Sequence, residues 1–83
     1  MKRHYVYLLL CADGTLYTGY TTDPERRLKE HNAGKGARYT RGRLPARMIY
    51  TASFATRGEA LREEYRIKRL TPAKKRALAG IRD

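Results

Sequence analysis

Two apolar, aromatic-rich segments on either side of a short polar turn constrain the fold of this chain more than any other feature. Residues 5–10 and 15–20 are rich in β-branched, aromatic and leucine side chains, and the dipeptide Asp13-Gly14 lies between them. Such runs around an Asp-Gly dipeptide predict a β-hairpin. The sheet of this protein should therefore be at least partly antiparallel.

The length of the hairpin turn decides which side chains share a face of the sheet. A two-residue loop would pair Tyr17 with Leu10 and would send Tyr7 to the opposite face. A three-residue loop over residues 12–14, with its glycine at positive φ, would pair Tyr17 with Leu9 instead. Only the second register brings Tyr7 and Tyr17 to one face.

A helix should follow the hairpin. Residues 23–25 supply an aspartate N-cap, a proline at the first helical position and an acid in the first turn. These signals predict a helix that runs to about Ala33 and stops at Gly34. Arg27 and His31 are four positions apart on this helix and should share one side of it.

The segment after this helix is glycine-rich and basic. Residues 34–43 carry no acid, and their composition predicts an exposed loop with no fold signal of its own. Charge runs usually only solvate a surface, whereas basic residues interleaved with an aromatic one also occur where proteins bind nucleic acid, and both interpretations stay open. The candidate nucleic-acid-binding residues of the loop are Lys35, Arg38, Tyr39, Arg41 and Arg43.

The second half of the chain predicts one strand and two helices. Residues 47–54 alternate between apolar and polar side chains, as a third strand would. Residues 56–59 form a capping-box pattern that opens a helix reaching Leu70, and residues 71–72 restart the chain as a last helix to Ala79. The apolar stripe of the longer helix should face the sheet and consists of Ala60, Leu61, Ile67 and Leu70.

The predicted element order is therefore β-β-α-β-α-α, with no internal repeat and no linker. A hairpin and one further strand among helices predict the α+β class rather than a doubly wound fold. At 83 residues the chain has room for one compact domain, covering residues 1–83, with a modest core.

The charge of the chain indicates a polyanionic partner. Lysine and arginine number 19 against 8 aspartates and glutamates, which gives a formal net charge of +11. Nucleic acid is the first candidate and an anionic membrane surface the second, because basic side chains on a polyanion release condensed counterions. Membrane insertion is excluded since the longest apolar run is far shorter than the roughly 20 residues of a spanning helix. We expect no signal peptide, because the basic start leads into only a brief apolar run, and we expect the protein in the cytoplasm.

The cysteine and histidine content limits the chemistry further. Cys11 has no partner for an internal disulfide, and its place in an apolar strand predicts a buried structural thiol rather than a nucleophile. His4 and His31 are the only histidines, so a zinc site has no ligand set.

Glu64 stands out on physical grounds because a helical wheel places it among the apolar residues of the longer helix. An unpaired carboxylate in a buried stripe would cost several kcal/mol or take up a proton. Glu64 therefore needs a partner, either an arginine such as Arg27 or a divalent cation. The residues alone leave both alternatives open.

Tyr7, Tyr17, Arg27 and His31 also have an ordinary and a chemical interpretation. The tyrosines would ordinarily pack the strands, and Arg27 and His31 would lie on a solvated helix face. Together, however, Arg27 and His31 are suited to hold a phosphate oxygen and a transferable proton. A phenol beside a metal and an arginine has a lowered pKa and can then accept a proton from an attacking water.

These residues, in their order and spacing, resemble the GIY-YIG nuclease domain. The match covers almost the whole chain, and residues 16–41 resemble more narrowly the small stand-alone bacterial members of that family. Each short element is weak alone, but their succession at fitting intervals is specific. The matching elements are Tyr5-Val6-Tyr7, Tyr17-Thr18-Gly19, Arg27-Leu28-Lys29-Glu30-His31, Glu59-Ala60, Glu64-Tyr65 and Lys68.

The resemblance implies a central three-stranded antiparallel sheet flanked by helices, and hydrolysis of DNA phosphodiesters assisted by one divalent cation, Mg²⁺ or Mn²⁺. It implies a site on one face of the sheet, where Glu64 binds the metal and Arg27 neutralises charge on the scissile phosphate. Tyr7 would activate the water, His31 would relay the proton or orient Tyr7, and Tyr17 would position water or phosphate.

The resemblance also bears on DNA binding. Gly19 would let the backbone come close to the DNA, and Lys68, Lys74 and Lys75 would join the basic loop as contacts. Relatives that cut efficiently tend to carry a second DNA-reading domain, and some carry a lysine where this chain has Tyr20, so we expect weak turnover. Binding should be salt-sensitive and directed to branched, nicked or flapped DNA, as in DNA repair or recombination.

Two other functions stay open at this point. One is a non-catalytic nucleic-acid-binding module that retains the nuclease fold, and the other is a basic accessory subunit of a partner protein. The chain has no long amphipathic face with which an accessory subunit would dock on its partner. The nuclease is favoured over the first because a mere binder has no need for a carboxylate aimed at a polyanion. No small-molecule cofactor is expected, and the sequence does not constrain the oligomeric state.

Overall fold

A three-stranded antiparallel sheet forms the centre of the protein, and the computed structural model describes residues 2–81. The strands are β1 (His4–Leu10), β2 (Leu16–Thr21) and β3 (Arg47–Phe54), in the spatial order β2-β1-β3. Four consecutive residues of the central strand β1 are buried because both faces of the sheet are covered. The predicted α+β fold with an antiparallel sheet is confirmed.

The hairpin adopts the register that a three-residue loop predicts. Leu9 pairs with Tyr17, and the Cys11 amide donates to the Thr15 carbonyl at 2.9 Å to close the loop. Gly14 has φ of 84°, in the left-handed region that favours glycine. Tyr7 and Tyr17 consequently lie on one face, with ring centroids 6.4 Å apart. The predicted buried thiol of Cys11 is also confirmed.

Three of the four helices were predicted from the sequence. Their N-caps are present as expected, since Asp23, Thr56 and Thr71 each accept a hydrogen bond from a backbone N–H of the first turn. None of the helices within residues 2–81 has the length and hydrophobicity to cross a bilayer. The helices are α1 (Pro24–Asn32), α2 (Arg38–Arg41), α3 (Arg57–Lys68) and α4 (Pro72–Leu78).

The short helix α2 corrects the prediction of a featureless exposed loop over residues 34–43. Gly36 and Thr40 are buried in this segment, whereas Lys35, Arg38 and Arg41 are exposed. Composition revealed the exposed basic side chains but not the two small residues that anchor the segment to the rest of the fold. The observed element order is β-β-α-α-β-α-α.

The sheet separates two cores. On one face, Val6 and Leu8 pack against Ala60 and Ile67 of α3. On the other face, Tyr7 and Leu9 pack with Ala46, and the partly buried Tyr17 and Leu28 complete this second core. Strand periodicity explains the division because neighbouring side chains of β1 point to opposite faces.

One predicted core residue of α3 lies outside both cores. Leu61 is 37% exposed, whereas Ala60 and Ile67 are fully buried and Leu70 is partly buried. Leu61 flanks the stripe that Ala60 and Ile67 define, and a sheet of only three strands does not extend far enough to cover it. The prediction that Leu61 faces the sheet is wrong.

Asn32 joins the end of α1 to the start of β3. Its side-chain amide donates to the Ala46 carbonyl at 3.1 Å and accepts from the Ala46 amide at 2.8 Å. The pair of bonds satisfies both backbone groups of a residue that is only 4% exposed. It also fixes the position of His31, which precedes Asn32 in the chain.

Replacing Asn32 should destabilise the fold for this reason. We expect Asn32→Ala to lower the free energy of unfolding by about 1–3 kcal/mol, because the two buried backbone groups lose their partners. Urea unfolding followed by circular dichroism measures this, and Lys29→Ala, at an exposed position of the same helix, is the matched control. Equal stability of the two variants would contradict the assignment.

Candidate active site

A buried hydrogen bond between Tyr7 and His31 lies at the centre of the candidate site. Tyr7 Oη is 2.8 Å from His31 Nε2, and the two residues are 1% and 0% exposed. β1 supplies the tyrosine, and α1 supplies the histidine from the face of the helix that covers the second core. The two residues that were predicted to act together on a proton are therefore in direct contact.

The hydrogen bonds around His31 indicate which ring nitrogen carries the proton. Nδ1 lies 3.0 Å from Thr40 Oγ1, and that hydroxyl lies 2.9 Å from the Ala37 carbonyl oxygen. A hydroxyl has one hydrogen, and we assign it to the nearer Ala37 carbonyl, which makes Nδ1 the donor to Thr40. The Ala37 amide also points at Nδ1, at 3.4 Å, and this longer contact favours the opposite tautomer.

A directional chain of hydrogen bonds follows from this tautomer. Tyr7 donates to His31 Nε2, His31 Nδ1 donates to Thr40, and Thr40 donates to the Ala37 carbonyl. Thr40 is fully buried and was not among the predicted site residues. Its only signal in the sequence was its place at the end of the Gly-Ala-Arg-Tyr-Thr stretch within the family resemblance.

Burial moves the pKa values of this pair in opposite directions. It raises the pKa of Tyr7 to about 12, since the loss of solvent outweighs the favourable charge of Arg27. It lowers the pKa of His31, and the positive charge of Arg27 lowers it further. Tyr7 is thus a phenol and His31 a neutral imidazole at neutral pH. Arg27 does lower this pKa, as expected of a neighbouring arginine, but burial outweighs its effect.

Two glycines make room for the aromatic rings. Gly19 pairs with Tyr7 across the strands, and a β-carbon at Gly19 would overlap the Tyr7 hydroxyl. A β-carbon at Gly36 would likewise overlap the His31 ring. Gly19 was expected to let the backbone approach DNA, but within the fold it accommodates the phenol. Gly36 was missed because nothing in a glycine-rich segment distinguishes one glycine from the next.

Tyr17 extends the aromatic cluster toward the surface. Its ring meets the His31 ring edge-on at 5.5 Å and stacks on Tyr39 at 5.9 Å. The Arg43 guanidinium lies 4.1 Å from the centroid of Tyr39, and its Nε is 3.0 Å from an Asp13 carboxylate oxygen. Tyr39 and Arg43, predicted only as nucleic-acid contacts, therefore also support Tyr17.

The two charged site residues have partners other than each other. Arg27 pairs with Glu30 at 3.0 Å and is 30% exposed, so its guanidinium is partly open to solvent. Glu64 is 18% exposed and pairs with Lys68 at 3.3 Å. The carboxylate has a counter-ion, but this is the lysine one turn along α3, which was not among the predicted partners. The charge of Glu64 nevertheless acts on Tyr7 and contributes to its raised pKa.

The site extends around the edge of the sheet rather than over one face. α3 packs on the Val6 and Leu8 face, whereas Tyr7 points to the opposite face. The end of the Tyr7 ring lies over Gly19 of the edge strand β2, which directs its hydroxyl toward that edge. The expectation of a site confined to one face is corrected accordingly.

The remaining basic candidates lie outside this cluster. Lys35, Arg38 and Arg41 are exposed on and next to α2, and Lys74 is exposed on α4. Lys75 is half-buried on α4, and Lys68 is engaged with Glu64. Within residues 2–81, no group of three His, Cys, Asp or Glu side chains could enclose a metal ion.

The lowered pKa of His31 makes stability depend on pH. Histidine in an unfolded chain has a pKa near 6.5, so His31 of the unfolded chain takes up a proton below that pH. His31 of the folded chain stays neutral to a lower pH, because its pKa is lowered. The contribution of His31 is complete above about pH 6.5 and is lost as the pH falls through the lowered pKa. Urea unfolding between about pH 8 and pH 5 should show this decline.

An NMR titration separates the His31 effect from that of the carboxylates. The His31 ring signals should inflect below about pH 6.5, and an inflection above that value would contradict the buried neutral imidazole. Hydrogen bonds from Thr15 and Arg66 lower the pKa values of Asp13 and Glu63, so these two carboxylates titrate in a more acidic range.

Thr40 should control the tautomer of His31. Thr40→Val keeps the shape of the side chain but removes the acceptor of the Nδ1 proton, which should cost about 1–3 kcal/mol of stability. The ring-nitrogen chemical shifts should then report an altered tautomer population. Thr40→Ser retains the hydroxyl and should retain the native tautomer. Identical shifts and stability in the valine variant would show that Thr40 does not orient the ring.

Comparison with known proteins agrees with the geometry. Residues 3–77 match the GIY-YIG catalytic domain. A UPF0213 protein of Halobacterium salinarum is 60% identical over 75 residues, which cover 90% of this chain and 97% of that protein. The solution NMR structure of a UPF0213 protein from Bacillus halodurans superposes on this chain with a TM-score of 0.61. The two sequences are 54% identical, and the match covers 94% of this chain and 83% of that one.

A second solution structure, of a protein from E. faecalis, superposes with a TM-score of 0.63. Its sequence is 52% identical, and the match covers 96% of this chain and 86% of that one. These matches extend over nearly the whole chain, and the matched range of the family, residues 3–77, spans the positions of the candidate site. The protein therefore belongs to the GIY-YIG family, whose catalytic domain defines a superfamily of nucleases.

Proposed function

We propose that this chain is a divalent-metal-dependent endonuclease that hydrolyses DNA phosphodiester bonds. The observation that carries the proposal is the buried hydrogen-bond chain from Tyr7 through His31 to Thr40, which begins where the charges of Arg27 and Glu64 both act on the phenol. A phenol, an imidazole, a guanidinium and a carboxylate need not lie so close together merely to pack the fold. Proton transfer next to a charged phosphate does need all four groups in one place.

The tautomer of His31 defines a proton path. Tyr7 is protonated at neutral pH, so it can take a proton from water only while giving its own to His31 Nε2. In the proposed step the water transfers its proton to Tyr7 Oη as the phenol proton moves to the imidazole. The water oxygen bonds to phosphorus, the bond to the leaving oxygen breaks, and that oxygen takes a proton from solvent.

The pKa of His31 suits this cycle. Because it is lowered, the imidazole is neutral at physiological pH and its Nε2 lone pair is available. After the transfer, the imidazolium lies beside Arg27 in a buried environment, which favours prompt loss of the extra proton. Thr40 holds the ring in the productive orientation throughout.

The donor set fits a hard divalent cation bound through one carboxylate. Glu64 would hold the ion, and water and phosphate oxygens would complete its coordination, as Mg²⁺ and Mn²⁺ prefer. A bound cation of this kind neutralises charge that develops on the phosphate. Arg27, which Glu30 orients and which is partly exposed, would add a second positive charge at the same phosphate.

Lys68 has a role in this scheme because it is the present counter-ion of Glu64. The ammonium contacts one oxygen of Glu64, so a cation that binds through both oxygens would displace it. The Lys68 side chain is 53% exposed, and its released charge is then available to a neighbouring phosphate. This supports Lys68 as a DNA contact.

DNA binding would rest on the exposed cations. The arginines of α2 and Lys35 lie beside the segment that packs on His31, and the chain has a formal net charge of +11. Binding of this kind is salt-sensitive and independent of base sequence. We therefore propose a structure-directed enzyme that acts on branched, nicked or flapped DNA in repair or recombination.

A non-catalytic nucleic-acid-binding module is the second candidate. The observation that favours it is the ion pair between Glu64 and Lys68, since this lysine already neutralises the carboxylate that would hold a cation. Tyr20, whose hydroxyl lies 2.7 Å from His4 Nδ1, also supplies no positive charge next to Gly19.

Cleavage by Glu64→Gln and Glu63→Gln distinguishes the two functions. The two glutamates are adjacent on α3, are 18% and 21% exposed, and each has a basic partner on the same helix. We expect Glu64→Gln to abolish cleavage of labelled nicked, flapped and four-way DNA in Mg²⁺ or Mn²⁺, while DNA affinity stays unchanged or rises. Glu63→Gln should cut like the natural protein.

The outcome of this cleavage experiment distinguishes the nuclease from the non-catalytic module. Metal-dependent cutting that Glu64→Gln alone removes would support the nuclease. Cutting by Glu64→Gln at the natural rate would refute the metal-binding role of this residue. DNA binding without any cutting by the natural protein, over all substrates and both metals, would favour the non-catalytic module.

A further inference from the structure

A cavity lies between the hairpin turn and α4, next to the aromatic cluster of Tyr7, Tyr17 and His31. Its volume is about 240 Å³. Leu16, Tyr39 and Pro72 form apolar walls, and Lys75 and Arg76 border it on the side of α4. No acidic residue lines it. The sequence analysis gave this region no function beyond the general basic character of the last helix.

The cavity lies on the same edge of the sheet as the candidate active site. Leu16, which lines the cavity, is the first residue of the edge strand β2. Gly19 is three residues further along the same strand, and the end of the Tyr7 ring lies over it. Strands rise about 3.3 Å per residue, so the two positions are roughly 10 Å apart. Stacked DNA rises about 3.4 Å per nucleotide, and this distance corresponds to about three nucleotides.

Aromatic stacking connects the cavity to the site. Tyr39 lines the cavity, is 40% exposed, and stacks on Tyr17, whose ring also meets His31 and Tyr7. A strand that reaches the cavity therefore passes along the same aromatic surface that leads to Tyr7.

The two basic residues of the cavity, Arg76 and Lys75, differ in whether a partner within the fold engages their charged group. The Arg76 guanidinium donates to the Gly14 carbonyl at 3.0 Å and so ties α4 to the hairpin turn. The Lys75 ammonium forms no ion pair within the described part of the chain, residues 2–81. Lys75 is accordingly the group available to an anion at the mouth of the cavity.

We propose that this cavity receives one unpaired nucleobase of the bound DNA, with an adjoining phosphate on Lys75. The inference rests on the proposed function, because it takes DNA as the substrate. The volume lies below the roughly 300–1,000 Å³ of drug-sized sites and suits a single planar ring system. Apolar and aromatic walls stack on a base of any identity, and the cationic border matches its phosphate.

The cavity gives structure-directed binding a physical cause. A base in an intact duplex must be unpaired and unstacked before it can enter, whereas a base in a flap or at a branch is already free. The protein would then prefer DNA with unpaired nucleotides near the cleaved bond without reading their sequence. An inorganic phosphate would use Lys75 but would leave the apolar walls uncovered, so it fits the cavity less well.

Affinity for flap DNA with single missing bases tests the proposal. Binding is measured with Glu64→Gln in EDTA, which separates it from cleavage, on flaps that carry an abasic nucleotide at each position in turn. We expect one position, near the branch, at which loss of the base weakens binding about tenfold, since a stacked base contributes on that order. The other positions should change binding little.

A pair of lysine variants locates the effect in the protein. Lys75→Trp places an indole at the cavity, and Lys74→Trp makes the same change of charge at an exposed neighbour that does not line it. Lys75→Trp should abolish the dependence on the single base, while Lys74→Trp should retain it. Lys74 is exposed and Lys75 is half-buried on α4, and thermal unfolding verifies that both variants fold.

The outcomes distinguish this inference from the proposed nuclease. Equal affinity for all abasic flaps, or a base dependence that survives Lys75→Trp, would overturn the base-binding cavity even if the natural protein cuts DNA. A base dependence that Lys75→Trp removes would support the cavity even if the natural protein shows no cutting. Weaker binding of Lys75→Trp to every flap alike would indicate a phosphate contact only and would also overturn it.

Discussion

The hydrogen bond between Tyr7 and His31 is the interaction on which the rest of this structure depends. It joins the central strand to α1 through two side chains that are almost fully buried, and each is a hydrogen-bond partner of the other. The glycines next to the two rings make the approach possible, and the hairpin register brings Tyr17 to the same face. The same lack of solvent shifts both pKa values, so the phenol and the imidazole are both uncharged at neutral pH.

Local rules account for most of what the sequence could predict about the fold. The turn at Gly14, the N-caps at Asp23, Thr56 and Thr71, and the alternation of β3 each depend on residues close together in the chain, and the structure confirms them. The helix α2 could not be predicted in this way. It is anchored by contacts of buried small residues with His31, and no periodicity or composition encodes such contacts.

The candidate site was predictable as a set of residues but not as an arrangement. The family pattern selected Tyr7, Tyr17, Arg27, His31 and Glu64, whereas physical reasoning alone singled out only Glu64 and left its partner open. That partner is Lys68, one turn away on the same helix. The approach of α3 from the opposite face, and the tautomer that Thr40 imposes on His31, depend on how distant elements pack, and no single segment of sequence contains that information.

The short helix α2 has a consequence for how substrate and chemistry communicate. Arg38 and Arg41 face solvent on a single turn of helix whose inward side chain, Thr40, receives the imidazole proton. A polyanion bound by these arginines would act on the same helical turn that holds the Thr40 hydroxyl 3.0 Å from His31 Nδ1. Any effect of that binding on the proton affinity of the ring would be reciprocal, because linkage between two binding events is symmetric. Such an effect would need no hinge and no moving domain, since one turn of helix carries both groups.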